Sequence, residues 1–349
     1  MWSKIKENMS KQRFIWADSL KGWLMLLVIL GHAIQSTLGT DCYSNHVWNL
    51  IYSIHMPAFM AVSGWLAYRS TNASRPEIVD WGGYINRTKR RAQQLLIPYF
   101  TWMIVSFLFR NEYTIQAVKE KILYPDNSLW FLWVLFWICA LFNLAQLLAN
   151  KLKQNEMAPI LTTNLMLLIF MVAMEIRVLG FQFLAYYYLF YTLGFCLHIV
   201  DWKKLSLWRS LAPLALLWTI LAWSWTMHGL PSWVPAIPHV PSTLLQYAYR
   251  GFTAFVAIVV LIGAAPKLLN TESVCNDEIR KVGVVSLGLY AVHLSIMGLV
   301  VDTINKVFPQ IGEWFCVALA FIIALTMSSL VVLLLSKNKY TARFFLGKI

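Results

Sequence analysis

The first apolar stretch of the chain, residues 16–39, carries three side chains that could do chemistry: Asp18, Lys21 and His32. Eleven residue steps separate Lys21 from His32. In a helix this spacing places both on nearly one face, about 16 Å apart along the axis. Neutral imidazole can take a proton from a hydroxyl, and an ammonium can hold an anion. Because ionisable groups are costly inside an apolar helix, each is a candidate functional residue.

Asp18 precedes Lys21 by three residues, so it can pair with Lys21 or cap the helix start. His55 lies in the second apolar stretch, two residues before Pro57. Counted from the outer helix ends, His32 and His55 have depths that agree within one turn, so they could share a cavity. The alternative for His32 is a hydrogen bond that packs two helices. For His55 it is a bond to backbone groups that Pro57 frees.

Two further ionisable residues fall inside later apolar stretches. Arg250 has a predicted depth similar to that of His32, where a guanidinium needs an acidic partner, and Glu175 is one candidate. This pairing could serve function or structure alone. His293, three residues after Tyr290, is a catalytic candidate near the middle of its span, with a packing role as the alternative.

Aromatic and basic clusters provide candidate binding residues. Trp130, Trp133 and Trp137 form one helical stripe that could stack a sugar, pack internally or face lipid. A basic cluster before the third span contains these residues: Arg87, Lys89, Arg90 and Arg91. It could bind the phosphates of a nucleotide-like cosubstrate, or it could bind anionic lipid. Alternatively, it could reflect only the excess of positive charge in cytoplasmic loops.

Composition indicates the elements that position these residues. Of 349 residues, 59% are hydrophobic and only 13% are charged, which is typical of an integral membrane protein and not of a soluble one. The net charge of +13 therefore indicates basic cytoplasmic loops and no nucleic-acid partner. The sequence contains no phosphate-binding or dinucleotide-binding glycine motif and no zinc-ligand pattern, so we expect no metal.

Hydropathy predicts an all-α, polytopic membrane helix bundle with about ten spans. The predicted spans are 17–39, 47–69, 92–111, 128–150, 160–178, 181–199, 208–228, 243–265, 283–303 and 312–335. Outer loops keep only five basic residues: Arg110, Lys119, Lys121, Arg177 and Lys306. The other loops are richer in Lys and Arg, which predicts cytoplasmic N- and C-termini. We expect one domain over 1–349, with an N-terminal segment at 1–15 and a tail at 336–349.

Several blocks occur in an order that resembles the acyltransferase-3 family. They are RFIWADSLKG (13–22), LGH (30–32), HMPAF (55–59), SGWL (63–66), the basic cluster followed by LLIPY (95–99), LWFL (129–132), FYTLGF (190–195) and LYAVH (289–293). Within that family, the chain looks like fucose 4-O-acetylases and other polysaccharide O-acetyltransferases. Two departures are the lack of an appended esterase-like domain and a Lys at position 21, where many relatives have Arg.

The resemblance implies a bacterial inner-membrane O-acyltransferase. It would move an acetyl group from acetyl-CoA, or another acyl-CoA, to a hydroxyl of a carbohydrate or lipid-linked sugar among the membrane lipids. His32 would be the base, acting directly or through an acylated intermediate. His55 or Arg250 would orient the reacting groups or stabilise the developing oxyanion. Lys21 and the basic cluster would hold the anionic end of the donor. A secondary transporter and a non-catalytic assembly subunit are the alternative functions.

Overall fold

The computed structural model describes residues 14–72, 78, 80–110, 114–124, 129–153, 155, 157–174, 178–202, 204–271 and 273–348. Among these residues the regular structure is entirely helical and no strand occurs. The predicted all-α class is therefore confirmed. Glu175 lies outside the described residues.

Thirteen α-helices lie in the described ranges, with short 3₁₀ turns at Gly39–Ser44 and Val178–Gly180 and a π turn at Leu207–Leu211. The α-helices are α1 Ile15–Leu38, α2 His46–Asn72, α3 Trp81–Arg110, α4 Ile115–Leu123, α5 Trp130–Lys151, α6 Met157–Met174, α7 Phe181–Leu197, α8 Ala212–Trp223, α9 Ser242–Leu268, α10 Val274–Val284, α11 Ser286–Val307, α12 Glu313–Leu335 and α13 Lys339–Leu346.

The turn between α1 and α2 is set by two residues. Gly39 has φ +57° and donates its N–H to the carbonyl of Gln35, which ends α1. The side chain of Asn45 accepts from the backbone N–H groups of Val47 and Trp48 at 3.0 and 3.1 Å, which starts α2. The second helix therefore returns beside the first, and their chemical side chains can meet.

Seven segments of the described residues are long and apolar enough to cross a membrane. They are Ile15–Ser44, His46–Tyr68, Trp130–Lys151, Val178–Leu197, Ser242–Leu268, Ser286–Val307 and Glu313–Leu335. Met157–Val172 and Leu207–Trp223 are apolar but shorter. The predicted count of ten spans and the predicted orientation of the termini stay predictions.

The basic cluster does not form a loop before the third span, which corrects the sequence interpretation. It lies inside α3, which begins at Trp81 and continues to Arg110. No Pro or Gly occurs between Tyr84 and Ile97, and Arg, Lys and Gln are good helix formers. The helix therefore starts well before the apolar segment, and its charged side chains occupy fixed faces.

Helix α1 lies at the centre of the bundle and packs against α2, α10, α11 and α12. Helix α2 also packs along α7. The two helices run parallel, because the rings of Trp65 and His198, near their C-terminal ends, are 4.7 Å apart. At their crossing, a β-carbon on Gly64 would collide with the carbonyl oxygen of Tyr191. The two backbones can approach this closely only because position 64 has no side chain.

Helix α5 runs antiparallel to α3. The Lys151 ammonium lies 5.1 Å from the Trp81 ring at one end, and the rings of Trp133 and Tyr99 lie 5.5 Å apart further along. The same register aligns the basic cluster of α3 with the polar part of α5 around Asn143. We call the end of the bundle where α1 begins the N-terminal end.

Candidate active site

Three histidines from three helices meet in the interior of the bundle. The rings of His32 on α1 and His293 on α11 lie 5.2 Å apart, centroid to centroid. His55 on α2 lies within electrostatic range of His32. The structure therefore brings together the three histidines that the sequence singled out, and we call them the histidine cluster.

Hydrogen bonds fix the proton positions on two of these rings. Nδ1 of His55 is 2.7 Å from the carbonyl oxygen of Ile51, and Nδ1 of His293 is 2.9 Å from that of Tyr290. A carbonyl oxygen only accepts, so both Nδ1 atoms carry the hydrogen and the neutral rings present Nε2 lone pairs. Nε2 of His293 is buried and has no hydrogen-bond partner among the described residues. Neutral His55 therefore offers a proton acceptor and has no free N–H for an oxyanion.

The three rings differ in accessibility. His55 is 3% exposed and His293 is 0% exposed, whereas His32 is only partly buried although it neighbours both. Of the three rings, His32 is therefore the one with accessible surface. Within the described part of the chain, no three His, Cys, Asp or Glu side chains are placed to hold a metal ion.

Two polar residues next to His32 complete its surroundings. The hydroxyl of Tyr52 donates to Oε1 of Gln35 at 2.8 Å. Gln35 follows His32 by three residues on α1, so it lies about one turn further along the helix. The Tyr52 ring lies between the histidines, at 6.3 Å from His32 and 4.7 Å from His55.

Trp130, a predicted substrate-binding residue, lies at the start of α5. Its ring is 5.0 Å from Tyr187 and 4.9 Å from Phe183, both on α7. The next residue, Phe131, donates its backbone N–H to the hydroxyl of Tyr290 at 3.4 Å. Tyr290 belongs to the same helix as His293. This hydrogen bond of Phe131 therefore places the neighbouring Trp130 close to the helix that carries His293.

Arg250 lies in α9, and its partners in the described part of the chain are two backbone carbonyls and an aromatic ring. Its guanidinium donates to the carbonyl oxygen of Thr226 at 3.0 and 3.2 Å and to that of Met227. It also lies 5.2 Å from the Trp225 ring. These carbonyls follow α8 and accept from the guanidinium. Glu175 lies outside the described residues, so its pairing with Arg250 stays a prediction. Tyr187 is within electrostatic range of Arg250.

Lys21 forms the ion pair that its spacing predicted. Its Nζ is 2.6 Å from Oδ1 of Asp18, and the Lys21 side chain keeps 21% of its surface exposed. The short helix α10 packs over this region so closely that a β-carbon on Gly22 would collide with the carbonyl oxygen of Ile279. Lys21 is therefore a positioned cation near the N-terminal end of the bundle.

The three predicted donor-binding arginines do not share one face. Arg87 and Arg91 are partly buried, whereas Arg90 is exposed. Arg91 donates to Oε1 of Gln94 at 3.2 Å and lies within electrostatic range of Cys139 on α5. Arg87 and Arg91 are four residues apart and therefore point to the same side of α3.

Buried polar atoms lie on α3 beside Arg91 and on the helix that packs against it, α5. Oγ1 of Thr88, Nδ2 of Asn143 and Oε1 of Gln146 have no hydrogen-bond partner among the described residues. Such orphaned groups are uncommon in native proteins and call for a polar ligand or water. With Arg91 they form what we call the α3–α5 polar face: Arg91, Thr88, Asn143 and Gln146.

The family of this chain follows from its similarity to known proteins. A family model described as an acyltransferase domain, Acyl_transf_3, matches residues 14–334. The chain belongs to the acyltransferase-3 family. The resemblance seen in the sequence is thereby confirmed, and the match spans every helix that contributes to the histidine cluster.

Two curated relatives share the name nodulation protein NolL. The one from Mesorhizobium japonicum is 28% identical over 219 residues, which cover 55% of this chain and 50% of the relative. The one from Sinorhizobium fredii is 33% identical over 155 residues, which cover 40% of this chain and 38% of the relative. The matched part of this acyltransferase-3 chain thus spans half or less of each relative's length. No solved structure matches significantly.

Sequence reasoning missed two polar members of this acyltransferase-3 site, Gln35 and Tyr52. Their spacing was a usable signal, because Gln35 follows His32 by three residues and Tyr52 precedes His55 by three. In a helix this spacing places each beside its histidine. Their mutual hydrogen bond depends on how α1 and α2 pack, which the sequence does not specify.

Proposed function

We propose that the protein is a membrane O-acyltransferase that moves an acetyl group from acetyl-CoA to a hydroxyl of a carbohydrate or lipid-linked sugar. In this proposal the bundle crosses a bacterial inner membrane ten times, with both termini in the cytoplasm. The observation that carries the proposal is the meeting of His32, His55 and His293, with free ring nitrogens, in a chain of the acyltransferase-3 family.

His32 is the proposed general base because it alone of the three histidines is partly accessible. It takes the proton of the acceptor hydroxyl as the hydroxyl oxygen attacks the thioester carbonyl. The carbon–sulfur bond then breaks, and the proton returns to the leaving thiolate. The same base therefore serves attack and departure, and no net proton is consumed.

His293 is the proposed proton-sharing partner of His32. The ring centroids of the two histidines are 5.2 Å apart, and Nε2 of His293 has no hydrogen-bond partner among the described residues. Protonated His32 carries an N–H on both ring nitrogens, so in this proposal one faces the substrate while the other turns toward Nε2 of His293. The positive charge strengthens that hydrogen bond, so it favours the transition state over the resting state.

The proposed donor route begins at the N-terminal end of the bundle. Lys21 is a partly exposed cation, and the α3–α5 polar face adds a second cation, Arg91, with unsatisfied donors and acceptors. Lys21 and His32 are about 16 Å apart along α1, a distance that an extended pantetheine arm can span. The anionic nucleotide end would stay near the cations while the thioester reaches His32.

Arg250 and Trp130 are the proposed acceptor-side residues. Arg250 is partly accessible, and its guanidinium is held by backbone carbonyls, so it is a fixed positive charge. Trp130 and Tyr187 add aromatic surface next to Tyr290. Aromatic faces and a cation suit a sugar that carries a phosphate. Glu175, the predicted acidic partner of Arg250, is a further proposed acceptor-binding residue and lies outside the described residues.

A direct assay tests the proposed function. Purified protein in lipid nanodiscs is incubated with radiolabelled acetyl-CoA and membrane glycolipids, and the products are analysed for acetyl esters. We expect CoA release that depends on the acceptor and label in an alkali-labile ester. Sugar uptake into proteoliposomes without thioester loss would favour the transporter, and no response in either assay would favour an assembly subunit.

A complementary test starts from the cell. Mass spectrometry compares the surface glycans of a strain lacking the gene with those of the parent. We expect the loss of one acetyl group at a defined sugar, restored by the wild-type gene. Unchanged glycans, under conditions in which the gene is expressed, would contradict the proposal.

A further inference from the structure

We propose that the exposed face of α13 binds anionic lipid headgroups at the membrane surface, and that this attachment holds α3 in place. The segment that contains α13, residues 336–348, has four basic residues and no acidic one. The basic residues are Lys337, Lys339, Arg343 and Lys348. The inference concerns lipid, so it can be tested whether or not the protein transfers an acetyl group.

Helix α13 lies where a membrane-crossing segment ends. Helix α12 is long and apolar enough to cross a membrane, and it ends at Leu335, shortly before α13 begins at Lys339. The hydroxyl of Thr341 donates to the carbonyl oxygen of Leu335 at 2.6 Å, which keeps α13 beside the end of α12. Charged side chains are costly in the hydrocarbon core and collect at its edge. The basic helix therefore lies at the membrane surface.

Helix α13 has a face inside the bundle and a face outside it. Ala342 and Leu346 are buried, at 6% and 4% exposed. Away from them lie five exposed residues that we call the tail face: Lys337, Lys339, Tyr340, Arg343 and Phe344. Its aromatic members are 73% and 49% exposed. The tail face therefore combines three cations with two accessible rings.

This combination fits the surface of an anionic bilayer. Lys and Arg are attracted to lipid phosphates, and aromatic rings lie at the headgroup level. Among the described residues, none of the three cations of the tail face forms an ion pair. An acidic soluble protein would match the charges, but the position of α13 beside the end of α12 favours lipid. Phosphatidylglycerol is a suitable probe because its headgroup carries one phosphate and no amine.

The inner side of α13 is fixed to α3. Nε1 of Trp102 donates to the carbonyl oxygen of Phe345 at 2.9 Å, and the two rings meet edge to face at 5.4 Å. Gly347 has φ +64°, and a β-carbon there would collide with the carbonyl oxygen of Gln94. The side chain of Gln94 accepts from Arg91 of the α3–α5 polar face. Lipid on the tail face therefore holds the part of α3 that carries Arg91.

The lipid test uses the purified full chain in nanodiscs of phosphatidylcholine, alone or with one third phosphatidylglycerol. We expect phosphatidylglycerol to raise the thermal midpoint, because a ligand that binds only the folded state stabilises it. A variant that combines Lys337→Ala, Lys339→Ala and Arg343→Ala should lose most of this gain. Each basic residue near an anionic surface strengthens attachment about fivefold, so short-chain phosphatidylglycerol should bind this variant about tenfold more weakly or less in neutral detergent.

Two control variants separate the tail face from charge in general. Lys337→Arg combined with Lys339→Arg keeps the charges and should behave as the wild type. Lys153→Ala combined with Lys204→Ala and Arg209→Ala removes three exposed cations outside the tail, and it should keep the gain from phosphatidylglycerol. Equal losses in the two alanine variants, or no gain in the wild type, would overturn the proposal. An equal gain from inorganic phosphate in phosphatidylcholine would also overturn it, since the site would then need no lipid.

Hydrogen exchange tests the link between the tail face and α3. Backbone amides of α3 around Gln94 should exchange more slowly in nanodiscs with phosphatidylglycerol, and the alanine variant of the tail face should lose this protection. Trp102→Phe keeps an aromatic ring but removes the donor to Phe345. It should bind phosphatidylglycerol as the wild type does and lose part of the protection. Equal exchange of these α3 amides with and without phosphatidylglycerol would refute the link.

Discussion

The ring of His293 lies 5.2 Å from the ring of His32, and its Nε2 atom is buried without a hydrogen-bond partner among the described residues. Leaving a buried acceptor unsatisfied costs about 1–3 kcal/mol. A fold selected for stability alone would place an apolar side chain at this position. The relationship supports the proposal that His293 acts when His32 holds a proton.

The first prediction is that His293→Phe separates activity from stability. Phenylalanine fills a similar volume and removes the orphaned nitrogen, so the free energy of unfolding should stay equal or rise by about 1 kcal/mol. Acetyl transfer should fall by about 100-fold or more, because the protonated His32 loses its acceptor. Thermal unfolding in nanodiscs and turnover of acetyl-CoA measure the two effects.

His293→Asn provides the control for this prediction. An asparagine amide can still donate to the helix carbonyl that Nδ1 of His293 contacts, but it has no equivalent of Nε2. It should be as inactive as the phenylalanine variant. Full activity in the asparagine variant would show that Nε2 has no function.

The second prediction concerns His32 itself. His32→Ala should lower acetyl transfer by about 10²- to 10⁴-fold, the usual contribution of a general base. The control is His46→Ala, because His46 is exposed at the start of α2 and stacks on Trp223 at 4.8 Å. The control should turn over normally. Near-normal turnover by His32→Ala, with a folded protein, would exclude His32 as the base.

Hydropathy and spacing predicted much of this site. The apolar runs predicted the helices, and the spacing of Lys21 from Asp18 predicted their ion pair, because partners three residues apart depend only on helix geometry. The similar depths of His32 and His55 were likewise predicted, because depth follows from position along a span.

Lateral packing could not be predicted. The meeting of His293 with His32 depends on α11 lying beside α1, and nothing in a single span specifies its neighbours. The partners of Arg250 were missed for a similar reason, since Thr226 and Met227 are ordinary residues that contribute only backbone carbonyls. The helical conformation of the basic cluster was not predicted, because its charged residues were taken to indicate a loop. The residues around it are nevertheless good helix formers.

The third prediction is that Lys21 recognises the phosphates of the donor. Lys21→Ala should raise the KM for acetyl-CoA by about tenfold, because a contact to a charged group contributes about 1.5–3 kcal/mol in favourable cases and less when partly exposed. Acetyl-pantetheine lacks the nucleotide, so its KM should not change. Lys21→Arg should keep the ion pair with Asp18 and restore the KM for acetyl-CoA.

The comparison of the two donors also controls for damage to the fold. If loss of the ion pair disturbed α1, both donors would be affected alike. Equal changes in the two KM values would therefore contradict phosphate recognition by Lys21. Titration with salt offers a further check, since added salt should weaken acetyl-CoA binding in the wild type more than in Lys21→Ala.

The fourth prediction tests the close contact between α1 and α10. A β-carbon on Gly22 would collide with the carbonyl oxygen of Ile279, and one on Gly283 would collide with that of Asp18. Gly22→Ala must therefore push the two backbones apart, at a cost of about 1–3 kcal/mol. Because this contact lies next to Lys21, we expect a lower thermal midpoint together with a raised KM for acetyl-CoA.

Gly298→Ala is the matched control for this contact. Gly298 lies within α11, and a β-carbon there meets no atom within 4 Å. Alanine in a helix is favoured over glycine by about 0.5–1 kcal/mol, so this variant should be as stable as the wild type or more stable. Opposite shifts of the two thermal midpoints would support the packing of α10 over Lys21. Equal shifts would show that Gly22 does not make a close contact in the folded protein.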